Sequence, residues 1–169
     1  YQLSAYDANV LTSSRELANF FEATLKASAN SEAKLCANWV MGELLGALNQ
    51  HNLDLEKSPI APQSLGKLIQ RISDQTISGK IAKTIFESLW QGEPDVDTII
   101  EKQGLKQVTD PNAIEAIIDS ILEKNPTHVA EYKSGKDRLF GFFVGQVMKE
   151  SQGKANPEQV NALLKQKLS

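Results

Sequence analysis

Apolar residues recur three and four positions apart along almost the whole chain, and no segment alternates with period two. This is the pattern of helices with one buried face. The first predicted helix runs from Ser4 to about Leu11. A second shows Leu17, Phe20, Phe21 and Leu25 on one face. A third, after polar Asn30 and Ser31, shows Leu35, Trp39, Val40, Leu44, Leu45 and Leu48. A connector over 51–62 leads into a helix with Leu65, Leu68, Ile69 and Ile72. Pro62 opens it, since its missing N–H is not needed in a first turn. Then come a helix carrying Ile81, Ala82, Ile85, Phe86, Leu89 and Trp90, and a short one carrying Val96, Ile99 and Ile100 that Gly104 closes. From Asp110-Pro111 the style repeats on a smaller scale. Ile114, Ile117, Ile118, Ile121 and Leu122 line one helix, and Asn125-Pro126 starts a short one ending at Lys133. Leu139 to Met148 form the next, and Asn156-Pro157 opens a last one with Val160, Leu163, Leu164 and Leu168. The fold class is all-α: two small helical bundles, 1–107 and 108–169, joined by a short link near 104–110 that can serve as a hinge.

Helix starts are marked chemically. Ser4 with Asp7, and Ser13 with Glu16, have capping-box spacing. Asn30 and Ser31, Ser78 and Asp95 are expected caps for the helices that follow them. Ser-Gly-Lys occurs at 78–80 and again at 134–136. Both copies are expected to open a helix, where free N–H groups and a positive dipole suit phosphate oxygens.

The most distinctive stretch is 132–157. Two Gly-Lys turns, Gly135-Lys136 and Gly153-Lys154, bracket a helix with no cation of its own from Leu139 until Lys149. Gly141 and Gly145 lie four apart, as Gly42 and Gly46 do earlier, and the expectation is that another helix backbone approaches there. The candidate anion contacts are Lys133, Ser134, Gly135, Lys136, Arg138, Lys149, Gln152, Lys154 and Asn156, with Lys80 and Lys83 as a weaker second set. On spacing alone, a solvated rim of lysines is the simpler reading of this stretch.

Charge sharpens that picture. The 169 residues carry a net −3 in total, which does not by itself advertise nucleic acid. Yet residues 128–169 hold seven Lys and Arg against four acids, so the positive charge gathers where the Gly-Lys turns are. A hydrophobic share of 41% suits a folded protein, and no apolar run approaches the length of a membrane span. One cysteine, Cys36, excludes an internal disulfide and reads as a small buried hydrophobe. The chain opens with Tyr1 and enters a helical pattern at once, as a piece of a longer protein would. Catalytic constellations are absent. His51 and His128 lack metal-ligand neighbours, and Asp95 and Asp97 read as helix-start residues. Ser78-Gly79-Lys80 lacks the glycine five positions earlier and the following Ser or Thr of a nucleotide-triphosphate loop.

Several segments together carry a resemblance: Tyr6-Asp7-Ala8 with Val10-Leu11-Thr12-Ser13; Ala37-Asn38-Trp39-Val40-Met41-Gly42-Glu43-Leu44; and Thr76-Ile77-Ser78-Gly79-Lys80-Ile81-Ala82-Lys83. Gly104-Leu105-Lys106-Gln107, Asn125-Pro126, Val144-Gly145-Gln146-Val147-Met148-Lys149 and Gly153-Lys154-Ala155-Asn156-Pro157 complete the set. In this order and spacing, from about Ser4 to Leu168, the chain resembles the B subunit of the tRNA-dependent amidotransferases (GatB of GatCAB). Its last part also resembles the free-standing YqeY-type proteins. Gln75 stands where the family usually has glycine.

The resemblance implies a tRNA-binding fragment, a helical domain followed by a YqeY-like tail domain, taken from a cytoplasmic ligase subunit of protein biosynthesis. The family's catalytic domain, absent from this chain, uses ATP and magnesium to activate the carboxylate of Glu or Asp misacylated onto tRNA(Gln) or tRNA(Asn). It then adds ammonia delivered from the glutaminase subunit, in a complex with the A and C subunits. The fragment itself is expected to need no cofactor, to do no chemistry, and to meet neither membrane nor DNA. It would grip the body of the tRNA with weak, micromolar-order affinity that becomes useful when the catalytic domain holds the acceptor end. The alternative is a helical docking module for the other subunits or a synthetase. Exposed apolar residues on the helices of 14–50 would favour docking; a contiguous basic face over 133–154 would favour tRNA.

Overall fold

A computed structural model describes all of residues 1–169 and divides the chain into two compact units, Tyr1–Leu105 and Lys106–Ser169. The first unit holds α1 (Ala5–Leu11), α2 (Arg15–Ala27), α3 (residues 33–50), α4 (Pro62–Ser73), α5 (Gly79–Trp90) and α6 (Val96–Gln103). The second holds α7 (Pro111–Lys124), α8 (Pro126–Lys133), α9 (Leu139–Glu150) and α10 (Pro157–Leu168). There is no strand; a lone parallel bridge joins Val108 to Ala155.

Capping chemistry sets most starts. The Ser4 hydroxyl accepts from the Asp7 N–H (3.1 Å), Ser78 from Ile81 (3.2 Å) and Asp95 from Thr98 (3.0 Å). Each bond occupies one otherwise unpaired first-turn donor. Two starts in the first unit differ from the expectation. At α2 the cap is Ser14, accepting from the Leu17 N–H at 3.1 Å, so the Ser13–Glu16 box does not form. At α3 the cap position is Glu32 with no side-chain bond. Asn30 instead sits left-handed (φ 56°), and Ser31 donates back to the Ser28 carbonyl at 2.6 Å, so both close α2 rather than open α3. A π-helical turn, Trp39–Leu44, interrupts α3 and leaves no mark in the sequence period.

The first core is centred on α2 against α4: Leu17, Phe21 and Leu25 meet Leu65, Leu68 and Ile69, all buried. One glycine makes this crossing possible. A Cβ built on Gly66 would lie 2.5 Å from the Ala27 Cβ and 2.6 Å from the Thr24 carbonyl oxygen. Cys36 and Ala37 are fully buried beside Val40 and Leu44, and burial pushes the Cys36 thiol pKa up.

Charge ties α4 to α6. The Arg71 guanidinium holds Asp97 through two parallel bonds of 2.7 and 2.9 Å, and Lys67 adds a third contact at 2.9 Å. The Arg71 hydrogen bonds foremost, then that of Lys67, outweigh partial burial and hold Asp97 well below the usual carboxylate range. Lys34 does the same for Asp7 between α3 and α1, with Ser4 assisting.

The second core gathers Ile114, Ile118 and Ile121 of α7, Phe143 and Val147 of α9, and Val160, Leu164 and Leu168 of α10. The segment between α9 and α10 is pinned by Val108, whose N–H donates to the Lys154 carbonyl (2.7 Å) and whose carbonyl accepts from Asn156 (3.1 Å). Lys167 spans Glu115 (2.8 Å) and Asp119 (2.6 Å), linking α10 to α7.

Candidate nucleic-acid interface

Both Gly-Lys turns prove to be closed helix C-termini. After α8, the Gly135 N–H donates to the Tyr132 carbonyl (2.9 Å) and the Lys136 N–H to Glu131 (3.2 Å), with Gly135 left-handed at φ 103°. After α9, Gln152 donates to Lys149 (3.0 Å) and Gly153 to Met148 (2.7 Å), with φ of 54° and 76°. A left-handed residue that returns its N–H to the last turn is a common way for a helix to stop. Only the first Ser-Gly-Lys opens a helix. In the second, Ser134 caps the end of α8 and its hydroxyl donates to the Glu131 carbonyl at 2.7 Å. The physical reason is context. Residues 126–133 already form a helix that must terminate, and a glycine at φ 103° ends it without the Cβ penalty. The N–H groups of these turns are therefore occupied by carbonyls, and what the turns present outward is side chains.

The glycines of α9 face solvent. Gly141 and Gly145 are exposed, and a Cβ on either would meet nothing within 4 Å; the same holds for Gly42 and Gly46 in α3. No helix packs on them, which corrects the expectation of close helix approach. The close approach lies at Gly66 instead. In α9 the neighbours of the glycines become informative. Arg138 already has helical φ and ψ (−59°, −24°). At 3.6 residues per turn, Arg138 and Lys149 fall within about 20° of one another around the helix and about 16 Å apart along it. Gly141 and Gly145 lie between them on the same side. The exposed face of α9 thus carries two glycines with a cation at each end and the half-buried Phe142 along one edge.

Four of the remaining expected residues flank this strip. Lys133 and Lys136 are exposed near the Arg138 end, with Lys136 loosely paired to Glu131 at 3.2 Å. Gln152 is exposed and Lys154 half-buried after the Lys149 end. The cations therefore form two groups, one at each end of α9, and not one contiguous patch. Asn156 is buried and caps α10, its side-chain oxygen accepting from Glu158 (3.0 Å) and Gln159 (3.2 Å). Lys80 and Lys83 belong to the first unit; Lys80 is exposed, and Lys83 pairs with Glu43 at 2.9 Å. The sequence reading missed an aromatic pair beside the strip. The His128 ring stacks on Phe142, centroids 4.8 Å apart, and Phe142 immediately follows Gly141. An aromatic next to a glycine on a cation-ended helix was the available signal.

The apolar residues that would favour docking, Phe20, Leu35, Met41 and Leu45, are half-buried against the first core. The large hydrophobics left exposed, Tyr1 and Tyr6, lie before residue 14. Asp95 and Asp97 act as a helix cap and an ion-pair partner. No three His, Cys, Asp or Glu side chains come together in a metal-holding group, and no helix is long and apolar enough to cross a membrane.

Comparison with known proteins assigns the family. The GatB domain model (GatB/Yqey) matches residues 19–168. The aspartyl/glutamyl-tRNA(Asn/Gln) amidotransferase B subunit of Nitrosococcus oceani is 61% identical over all 169 residues. The proteins of that name from Thioalkalivibrio sulfidiphilus and Coxiella burnetii are 60% and 55% identical over 168 residues. The chain spans 35% of the length of each of these relatives. The matched region takes in most of the first unit and nearly all of the second, and the chain belongs to the GatB domain family, that of the amidotransferase B subunits.

Proposed function

We propose that this chain is the tRNA-holding part of an amidotransferase B subunit, acting in the cytoplasm. The whole subunit, with the A and C subunits, would convert Glu-tRNA(Gln) or Asp-tRNA(Asn) to Gln-tRNA(Gln) or Asn-tRNA(Asn). The chemistry, and the ATP and magnesium it needs, belong to the part of the relatives that lies outside this chain.

The observation that carries this reading is the exposed face of α9. Arg138 and Lys149 stand at its two ends with uncovered backbone between them, Lys133 and Lys136 reinforce one end, and Lys154 the other. A polyanionic ribose-phosphate chain laid along the strip meets charge at both ends and, between them, two glycines edged by the Phe142 ring. Such contacts position a folded RNA through its backbone and shape without reading base edges. Because the turn N–H groups are internally bonded, binding rests on side-chain charge and must be salt-sensitive. The test is charge reversal. Arg138→Glu with Lys149→Glu should abolish binding of tRNA(Gln) and tRNA(Asn), while Lys165→Glu, elsewhere on the unit, should cost little. Equal losses from both would refute the assignment.

A further inference from the structure

A second candidate site lies in the first unit, between α3 and α5, and takes no part in the α9 strip. It is an open groove of about 700 Å³. Its α3 wall is Gly42, Gly46 and Ala47, so the backbone is uncovered, and neither glycine has a neighbour within 4 Å of where a Cβ would stand. Its other wall is aromatic. The exposed His51 ring stacks on Trp90 at 5.1 Å and 29°, and Trp90 on Phe86 at 6.1 Å and 27°. This ladder is anchored in the core at Phe86 and open to solvent at His51. The rim carries Gln50, Glu87 and Gln91, with one ion pair, Lys83 to Glu43 at 2.9 Å.

We propose that this groove takes one unstacked nucleotide of a bound RNA, its base extending the aromatic ladder at His51. Volume, aromatic wall and a few converging polar groups match a small-ligand site in the range of a nucleotide, about 300–1,000 Å³. Base stacking on a ring tolerates any base, and the carboxylate and amide groups of the rim match the donors and acceptors of a base edge. Lys83, Glu87 and Trp90 lie on one face of α5, with Lys83 about 10 Å along the helix from Trp90 and exposed Lys80 one turn further, so the cations stand toward the opposite end of the groove from His51, within reach of a neighbouring phosphate of the RNA. The Lys83 side chain is 62% exposed, so its pairing with Glu43 is easily exchanged. The inference rests on the reading of the chain as an RNA holder, but it uses a separate set of residues from α9.

The test uses Trp90 as its own reporter, with Trp39→Phe making it the sole tryptophan. A single-stranded adenine trinucleotide should quench Trp90 emission. Gly46→Leu, which fills the groove where there is open space, should remove the quenching with helix content unchanged. His51→Ala should weaken trinucleotide affinity about tenfold, the scale of one base–aromatic stack. Arg138→Glu with Lys149→Glu should leave the quenching intact, which separates failure at α9 from failure here. Absence of quenching at millimolar trinucleotide, or quenching unchanged in Gly46→Leu, overturns the proposal. So does a Gly46→Leu protein that keeps full RNA affinity but loses assembly with a protein subunit, which would assign the groove to a protein helix.

Discussion

Gly42, Gly46, Gly66, Gly141 and Gly145 all sit inside helices, and the structure divides them sharply. At Gly66 a methyl group would lie 2.5 Å from the Ala27 Cβ and 2.6 Å from the Thr24 carbonyl oxygen, where ordinary contact begins near 3.4 Å. To accept Gly66→Ala, α4 and α2 must separate by about 0.9 Å along their main contact, and overpacking of this kind costs about 1–3 kcal/mol. Helix propensity returns about 1 kcal/mol, leaving a net loss of up to about 2 kcal/mol. At Gly46, Gly141 and Gly145 the added methyl meets nothing within 4 Å. Only the propensity gain remains there, about 0.5–1 kcal/mol each. The assay is urea unfolding followed by circular dichroism, comparing midpoints at constant m. The other three should unfold later than the parent and Gly66→Ala should not, with a gap of up to about 3 kcal/mol between the classes. A Gly66→Ala protein stabilised as much as Gly46→Ala would refute the packing argument. Equal destabilisation at Gly141 and Gly145 would show that their face is covered.

Other consequences are independent of that series. Gly141→Ala and Gly145→Ala, though stabilising, should weaken tRNA binding, because a side chain then stands on the strip between Arg138 and Lys149; affinity measured beside stability checks it. Asn156→Ala should cost about 1 kcal/mol by freeing two first-turn N–H groups of α10, read from the denaturation midpoint. Asp97 has a depressed carboxyl, so its pairing with Arg71 stabilises fully above the ordinary carboxylate pKa of 3.8 and is lost as pH falls from there through the depressed folded value. Asp97→Asn should therefore lower stability at pH 7 and flatten its acid dependence below pH 4, as followed by thermal melts. Cys36 is wholly buried with a raised thiol pKa, so a thiol reagent should label it at the rate of opening of the first unit and not faster.

What the sequence made legible was chemistry confined to a few neighbouring residues. Ser4, Ser78 and Asp95 cap because a cap needs only a side-chain oxygen and an N–H two or three residues on. The apolar faces of α4, α5 and α7 were readable for the same reason, through spacing alone. Part of what failed depended on partners distant in sequence. Gly141 with Gly145 looks the same whether a helix covers it or water does, and Gly66, alone in α4, has no pattern, although it is the glycine that packs. The two Ser-Gly-Lys runs are identical in letters. The first follows a loop and starts a helix; the second follows helical Val129 to Lys133 and ends one. The π turn in α3 displaces a face without altering composition. For the candidate site, the lysines were visible as charge, but their division into two groups about 16 Å apart along α9 required the helix ends to be fixed.

The central claim is that side-chain charge at both ends of α9 holds a tRNA backbone. The most direct measurement is the affinity of the chain for tRNA(Gln) and tRNA(Asn) across a salt series, for the parent and for Lys136→Ala with Lys154→Ala. Binding should be of micromolar order and fall steeply with salt. The double variant should lower both the affinity and the salt slope, by about one unit of slope for each phosphate no longer neutralised. An unchanged slope and affinity in the double variant, with tRNA still bound, would contradict it.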